Sequence, residues 1–470
     1  MIAVTSLFFI GLQTGCTDYD LHGQEKTVRT PGESTDTGEP YDAPDVPEDC
    51  DLEEPAAEDV GEGDNCASGE TGGFTPVVEW EVGNTGCMAM PVVADLDGDG
   101  LPEVLVNEGY GFGTGTMRVY RGDGSGLVFT LAAAVGYGSP AAVGDVTGDG
   151  NPDIVVVNEY ENSLLSIGDY TLKLFNNSGS LVWESDHFVG LDFDYATAPI
   201  ISDMDHDGHV EIIAGRVILN SDGSTRGIGA HGRGSYGITT FGQMTISEAS
   251  VPAVADLDLD GVEEVIVGNA MYSPDGDVLV YQPMQQDAMV AVANLDADVE
   301  GEAVMVSHDN IRAVDTDGSI LWGPISIPGA NILSTPAIAD LDGDGQVEIV
   351  VAGGNTLWTL NHDGTVLWQA TVQDESGATG ASIFDFEGDG DLEVVYIDEI
   401  QMVAYDGATG TIKYQTPNHA SPTMFDYPVI ADVDADGHAE ILVCHNGYSA
   451  SMSVFGDAND SWASTRQVWN

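Results

Sequence analysis

The sequence predicts an all-β chain, a β-propeller of four-stranded antiparallel blades, and three observations lead there. A loop of the type Asp-x-Asp-x-Asp-Gly recurs eight times. Short apolar runs rich in β-branched residues flank every copy, as in PVVADLDGDGLPEVLV at 91–106 and PAIADLDGDGQVEIVV at 336–351. Successive loops begin at Asp95, Asp145, Asp203, Asp256, Asn294, Asp340, Asp385 and Asp432, in steps of 50, 58, 53, 38, 46, 45 and 47 residues. Periods near 40 to 50 residues with a strand on each side of a turn are those of propeller blades.

Between loops the pattern leaves room for two further strands. One such pair is 356–360 and 366–369, joined through His362, Asp363 and Gly364. Eight blades follow from the count, with seven left open by the tight 38-residue step. After the last loop there is one strand too few. The run at 76–82 precedes the first loop and resembles the outer strands around Trp183 and Trp322, so it is expected to complete the last blade and remove an exposed edge.

Composition narrows the partners. The chain has 79 Asp+Glu against 11 Lys+Arg, a formal net charge of -68. Such a charge repels phosphate backbones and anionic lipid, which argues against nucleic acid and against direct membrane binding. It also opposes compaction unless cations sit among the carboxylates.

Three segments divide the chain. Residues 1–16 hold a short apolar run, too short to span a bilayer, followed by Gln13-Thr14-Gly15-Cys16. This resembles the cleavage box of a bacterial lipoprotein, which would make Cys16 a lipidated first residue and the protein an outer-membrane or cell-surface lipoprotein. Plain secretion and a chance apolar start are the alternatives. Residues 17–72 are rich in acidic residues, Pro, Gly, Ser and Thr, the composition of a disordered, self-repelling linker. From 73 to 470 the repeat takes over.

Apart from Cys16, four cysteines remain, an even number suited to an exported protein. Cys50 and Cys66 would close a short loop worth roughly 3 kcal/mol. Cys87 precedes the first loop and Cys444 follows the last, so ring closure would make them neighbours; two unrelated buried thiols are the alternative.

The loops carry the chemistry. Positions 1, 3, 5 and 9 bear side-chain oxygens and position 6 is usually Gly, a turn that lets alternate side chains converge on one hard cation. Calcium suits such an irregular oxygen shell. Five loops have the full acidic set: Asp95, Asp97, Asp99 and Glu103; Asp203, Asp205, Asp207 and Glu211; Asp256, Asp258, Asp260 and Glu264; Asp340, Asp342, Asp344 and Glu348; Asp432, Asp434, Asp436 and Glu440. Two are modified at position 3: Asp145, Thr147, Asp149 and Asp153; Asp385, Glu387, Asp389 and Glu393. The eighth, with Asn294, Asp296, Asp298 and Glu302, has Val299 in place of the glycine and is expected to be the weakest. The closing acid at position 9, and strands in place of helices, distinguish all of them from an EF-hand.

These units resemble the FG-GAP/VCBS repeats of bacterial surface proteins, related to the propeller of integrin α subunits. The resemblance covers roughly residues 74 to 470 and implies calcium at the positions just named. Its Phe-Gly and Gly-Ala-Pro signature survives only in part, at Ala198-Pro199 and Thr335-Pro336. The end of the chain, Trp462 to Asn470, is similar to a segment that often continues in such proteins, so truncation is an expectation.

Two functions follow. The first is a non-catalytic, monomeric binding or adhesion module for glycan or protein at the cell surface, with calcium as a structural ion. It agrees with the lack of any Gly-x-Ser-x-Gly elbow, His-Glu-x-x-His helix or phosphate-binding Gly-Lys-Ser/Thr loop. The second is a polysaccharide-active enzyme similar to calcium-dependent rhamnogalacturonan lyases, which would need a cationic site. The dense candidate is the Gly-rich stretch bearing Arg226, His231 and Arg233. Arg121-Gly122-Asp123 reads as a hairpin turn, and Trp322 and Trp368 read as blade packing.

Overall fold

The computed structural model describes residues 74–469 apart from 110–113, 137, 162–167, 190–191, 194, 236, 242–243, 249, 331, 422–424 and 448. The export segment, Cys16, the acidic linker and the pair Cys50 and Cys66 lie outside the described residues.

Eight blades form a ring. Seven are consecutive antiparallel sheets, six of four strands and the second with the two-residue strand Phe188–Val189 as a fifth, and the eighth takes Val429–Ala431, Glu440–Cys444 and Met452–Asp457 from the end of the chain with Pro76–Val82 from its beginning. The tight 38-residue step still holds a full blade, because its third and fourth strands, Ala270–Tyr272 and Val278–Tyr281, are short. The longest steps contain additions. Asp153–Glu161 and Asp169–Phe175 extend the second blade, and Gly237–Phe241 with Met244–Glu248 form a separate hairpin before the fourth.

Burial follows the order of strands within a blade. Innermost strands such as Val92–Ala94 and second strands such as Glu103–Glu108 are buried along their whole length, since adjacent blades cover both faces. That is why they read as continuous apolar runs instead of alternating ones. Fourth strands such as Leu127–Thr130 are half exposed. Each fourth strand also carries a bulge that shifts its register against the third, which bends an edge otherwise open to pairing.

Adjacent blades are keyed by aromatic residues of the fourth strand. Phe129, Trp183, Trp322 and Trp368 lie against Gly179, Gly223, Gly364 and Gly410 in the next blade's outer hairpin, where a Cβ would come within 3 Å of the ring. Three of the indoles also donate to backbone carbonyls there, Trp183 to Ser221 at 3.0 Å, Trp322 to His362 at 2.7 Å and Trp368 to Gly407 at 2.6 Å. These tryptophans are packing residues, Trp368 buried and Trp183 and Trp322 partly so. Trp80 repeats the contact on Gly124 and so carries the pattern across the join between the eighth blade and the first.

Closure has further components. A disulfide joins Cys87 to Cys444, with Cα atoms 5.2 Å apart across 357 residues of sequence. The last residues run back along the ring. Ala463 donates to the Phe386 carbonyl at 2.8 Å, Asp432 donates to that of Arg466 at 3.1 Å, and Trp469 and Val93 exchange two backbone bonds at 2.8 and 2.7 Å. Trp462 is buried there against Phe74 and Phe386.

Candidate metal loops on one rim of the ring

All eight Asp loops connect a first strand to a second, so the antiparallel topology sets them on one rim. Their local geometry repeats. The position-1 carboxylate accepts from backbone N–H groups across the turn: Asp95 from Gly98 at 2.8 Å and Gly100 at 2.9 Å, Asp256 from Asp260 and Gly261 at 3.0 Å each. The closing acid reaches back to the start of the loop. Glu103, Glu264, Glu348, Glu393 and Glu440 accept through Oε2 from Leu96, Leu257, Leu341, Phe386 and Val433 at 2.8–3.0 Å. Asp153, one methylene shorter, accepts from Thr147 instead. One oxygen of each of these closing acids is thereby tied to the backbone, and in the Asp385 loop the other, Glu393 Oε1, accepts from Lys413 at 2.6 Å.

Oxygens of several loops converge. Those of Asp95, Asp97 and Asp99 lie within 4.8 Å of one another, as do those of Asp256, Asp258 and Asp260 and of Asp340, Asp342 and Asp344. The same holds for Asp203, Asp205 and Glu211, and for Asp296, Asp298 and Glu302. Burial, reinforced by the neighbouring aspartates, pushes the carboxyls of Glu264, Glu302 and Glu348 up to about 7 and that of Glu440 up to about 10. Half-buried carboxylates so close together call for a cation.

The turn glycines behave as the pattern requires. Gly100 and its counterparts at position 6 have φ between 86° and 96° in seven loops. Val299 does not adopt this conformation, and Asn294 donates its amide to the Asp298 carbonyl at 2.9 Å, so that turn closes differently. Nevertheless its three acids meet, and Glu302 Oε1 is buried with no protein partner. An orphaned carboxylate oxygen beside two aspartates fits a hard cation with oxygen ligands.

Three charged residues outside the loops adjoin loop acids, which sequence reasoning missed: Arg226, Lys413 and Glu79. The extra residue at the fourth-strand bulge is Val128, Val182, Leu279, Leu321 or Leu367 in five blades, and Arg226, Lys413 or Glu79 in the other three. Glu79 brings a further carboxylate to Asp434 and Asp436, and burial first, then these acids, push it up to about 7. A charge at an otherwise aliphatic repeat position was the available signal.

The charged and aromatic partners of the Gly-rich stretch differ from residue to residue. Arg226 donates to Asp205 at 2.7 Å, Glu211 at 2.6 Å and Asp275 at 2.9 Å. His231 stacks on Tyr281, with ring centroids 3.6 Å apart. Arg233 is buried, its backbone N–H donating to Asp287 at 3.0 Å. Arg121 to Asp123 forms a hairpin turn, in which Asp123 accepts from Ser125 at 2.8 Å.

Fold and site together define an eight-bladed β-propeller whose Asp-rich loops could bind metal ions. Residues 95–156 and 340–396 match the FG-GAP-like repeat family, which is consistent with calcium at these loops. In architecture the chain is similar to the V. cholerae biofilm matrix protein Bap1, with a TM-score of 0.64 and 15% identity over 84% of this chain and 93% of that one. It is also similar to the rhamnogalacturonan lyase YesW, with a TM-score of 0.54 and 18% identity over 84% and 76% of the two chains. A rhamnogalacturonan lyase from Bacillus licheniformis gives 0.53 and 16% over 83% and 75%. At these identities the likeness is one of fold. No curated protein matches the sequence.

Proposed function

We propose that the chain is an exported propeller whose loops bind calcium as a structural ion, and that the ring acts as a monomeric, non-catalytic binding or adhesion module for a glycan or protein at the cell surface. The observation that carries the calcium reading is the set of converging loop acids, with Glu302 Oε1 buried and unpartnered beside Asp296 and Asp298. Calcium accepts six to eight oxygens in flexible geometry, which suits loops that offer carboxylates and backbone carbonyls on one short turn. Export is supported by the Cys87–Cys444 disulfide, a bond favoured in oxidising compartments, and by the lipoprotein-like run ending at Cys16. The fold shared with a biofilm matrix protein agrees with a surface role.

The rim opposite the metal loops is the better candidate for ligand binding. It carries the additions that the repeat does not require, namely the long second-blade strands and the separate hairpin at 237–248. A lyase is the second reading, favoured only by the fold shared with two such enzymes. It would need a free cationic site, and Arg226 is already held by three carboxylates.

Thermal melts in calcium and in chelator test the metal reading. A site held at 100 times its Kd contributes about 2.7 kcal/mol, so several sites should separate the two melting points by many degrees. Coincident melts would remove calcium. A glycan array followed by a lyase assay on pectic polymers tests the role: retention without cleavage supports a binding module, and cleavage would replace it with the enzyme.

A further inference from the structure

Two of the eight loops contain a cation of the protein's own. Arg226 stands at the bulge of Thr225–Ile228, the fourth strand of the third blade. Its Nη2 is 2.7 Å from Asp205 and its Nη1 is 2.6 Å from Glu211, the acids at positions 3 and 9 of the Asp203 loop. Lys413 stands at the same bulge position of Ile412–Thr416 in the seventh blade. Its Nζ bonds Glu387, at position 3 of the Asp385 loop, and lies 2.6 Å from Glu393, at position 9. In both loops the closing acid keeps Oε2 on the backbone and gives Oε1, the oxygen left for a metal, to the side-chain cation.

The two pairs are matched in length. The longer Arg226 meets the shorter Asp205, and the shorter Lys413 meets the longer Glu387, the single glutamate at position 3 among the eight loops. Each arrangement places positive charge between positions 3 and 9. Both cations are mostly shielded, with 18% and 23% of the side chain exposed. Charge-assisted bonds of this kind are about twice as strong as neutral ones, and a metal entering the loop would have to displace two of them.

We infer that the loops beginning at Asp203 and Asp385 take no calcium, because Arg226 and Lys413 supply their cation from within the chain. Oxygens of Asp203, Asp205 and Glu211 do converge as they would around an ion, but two of these three acids are bonded to the guanidinium. The Asp203 loop has the full acidic set and therefore reads from sequence as a complete site. With Arg226 bonded to two of its acids, it is instead self-neutralised. Arg226 also donates through Nε to Asp275 in the outer hairpin of the next blade, so this loop is fixed to its neighbour without regard to the calcium concentration.

The inference rests on calcium filling other loops, and a site-resolved experiment separates the two. Crystals of the unaltered protein grown in calcium, or soaked in terbium, should show anomalous peaks at loops such as Asp95, Asp256 and Asp340 and none at Asp203 or Asp385. A peak at either of the latter overturns the inference while leaving the calcium reading intact. Absence of peaks from all eight loops overturns the calcium reading and the inference with it. In native mass spectrometry, Arg226→Leu and Lys413→Leu, which install the aliphatic residue of the other blades, should each gain one calcium per chain. Arg226→Lys should gain none. An unchanged count in both leucine variants, once their melts show them folded, would also overturn it.

Discussion

The indole of Trp80 lies on Gly124, so a residue near the start of the described chain, working in the eighth blade, packs on the outer hairpin of the first. A Cβ at Gly124 would fall 2.6 Å from Trp80 Cγ, and the glycine has φ of 70°. Gly124→Ala should therefore cost roughly 2–4 kcal/mol, from overpacking at the join together with left-handed strain. Gly98→Ala is the control. Its φ is 74° with nothing within 4 Å of the added Cβ, so only about 1 kcal/mol should be lost in denaturant melts.

A metal bound at the loops would compete there with protons. In the metal-free protein the carboxyls of Glu264, Glu302 and Glu348 are raised from 4.5 to about 7, first by burial and then by the adjacent aspartates. A carboxyl raised on folding contributes stability that is fully present below pH 4.5 and lost as pH rises through about 7. In chelator the melting point should fall between pH 5 and pH 8. With calcium the slope should reverse, because the ion binds the ionised form and protons displace it on acidification. A pH series with and without calcium reads both slopes, and parallel curves would contradict the account.

Reduction should loosen the join. The Cys87–Cys444 bond spans 357 residues of sequence, so its removal restores a large loop to the freedom of the unfolded chain. The double variant Cys87→Ala, Cys444→Ala should lose about 2–5 kcal/mol. It should still fold, because Pro76–Val82 remains paired with Met452–Asp457 and Trp469 with Val93.

One loop position invites a stabilising change. Position 4 is left-handed at Gly98, Gly148, Gly343 and Gly388, and also at His206, Leu259 and Ala435, with φ of 55°, 59° and 62°. Leu259 is half exposed and has little packing to lose. Leu259→Gly should gain up to about 1 kcal/mol by relieving the strain, less what glycine adds to unfolded-state freedom. Gly343→Leu should lose a similar amount.

By itself the sequence determined the repeat. Eight acidic turns, their glycines, the apolar strands beside them and the unpaired strand before the first loop are local signals. A turn that needs φ near 90° or a strand buried on both faces selects its residues wherever it stands in the fold. A propeller of four-stranded blades followed from those signals, while the choice of eight over seven came from the structure.

Tertiary structure decided which loops keep their carboxylates free. Arg226 is 15 residues beyond Glu211, Lys413 is 20 beyond Glu393, and Glu79 reaches Asp434 only because the first strand closes the last blade. In sequence Arg226 belonged with His231 and Arg233 as a cationic loop, and in space it belongs to Asp205 and Glu211. The fourth-strand bulge makes that difference. Its extra residue is set by register against the third strand, and pairing register is fixed only when the whole blade has formed.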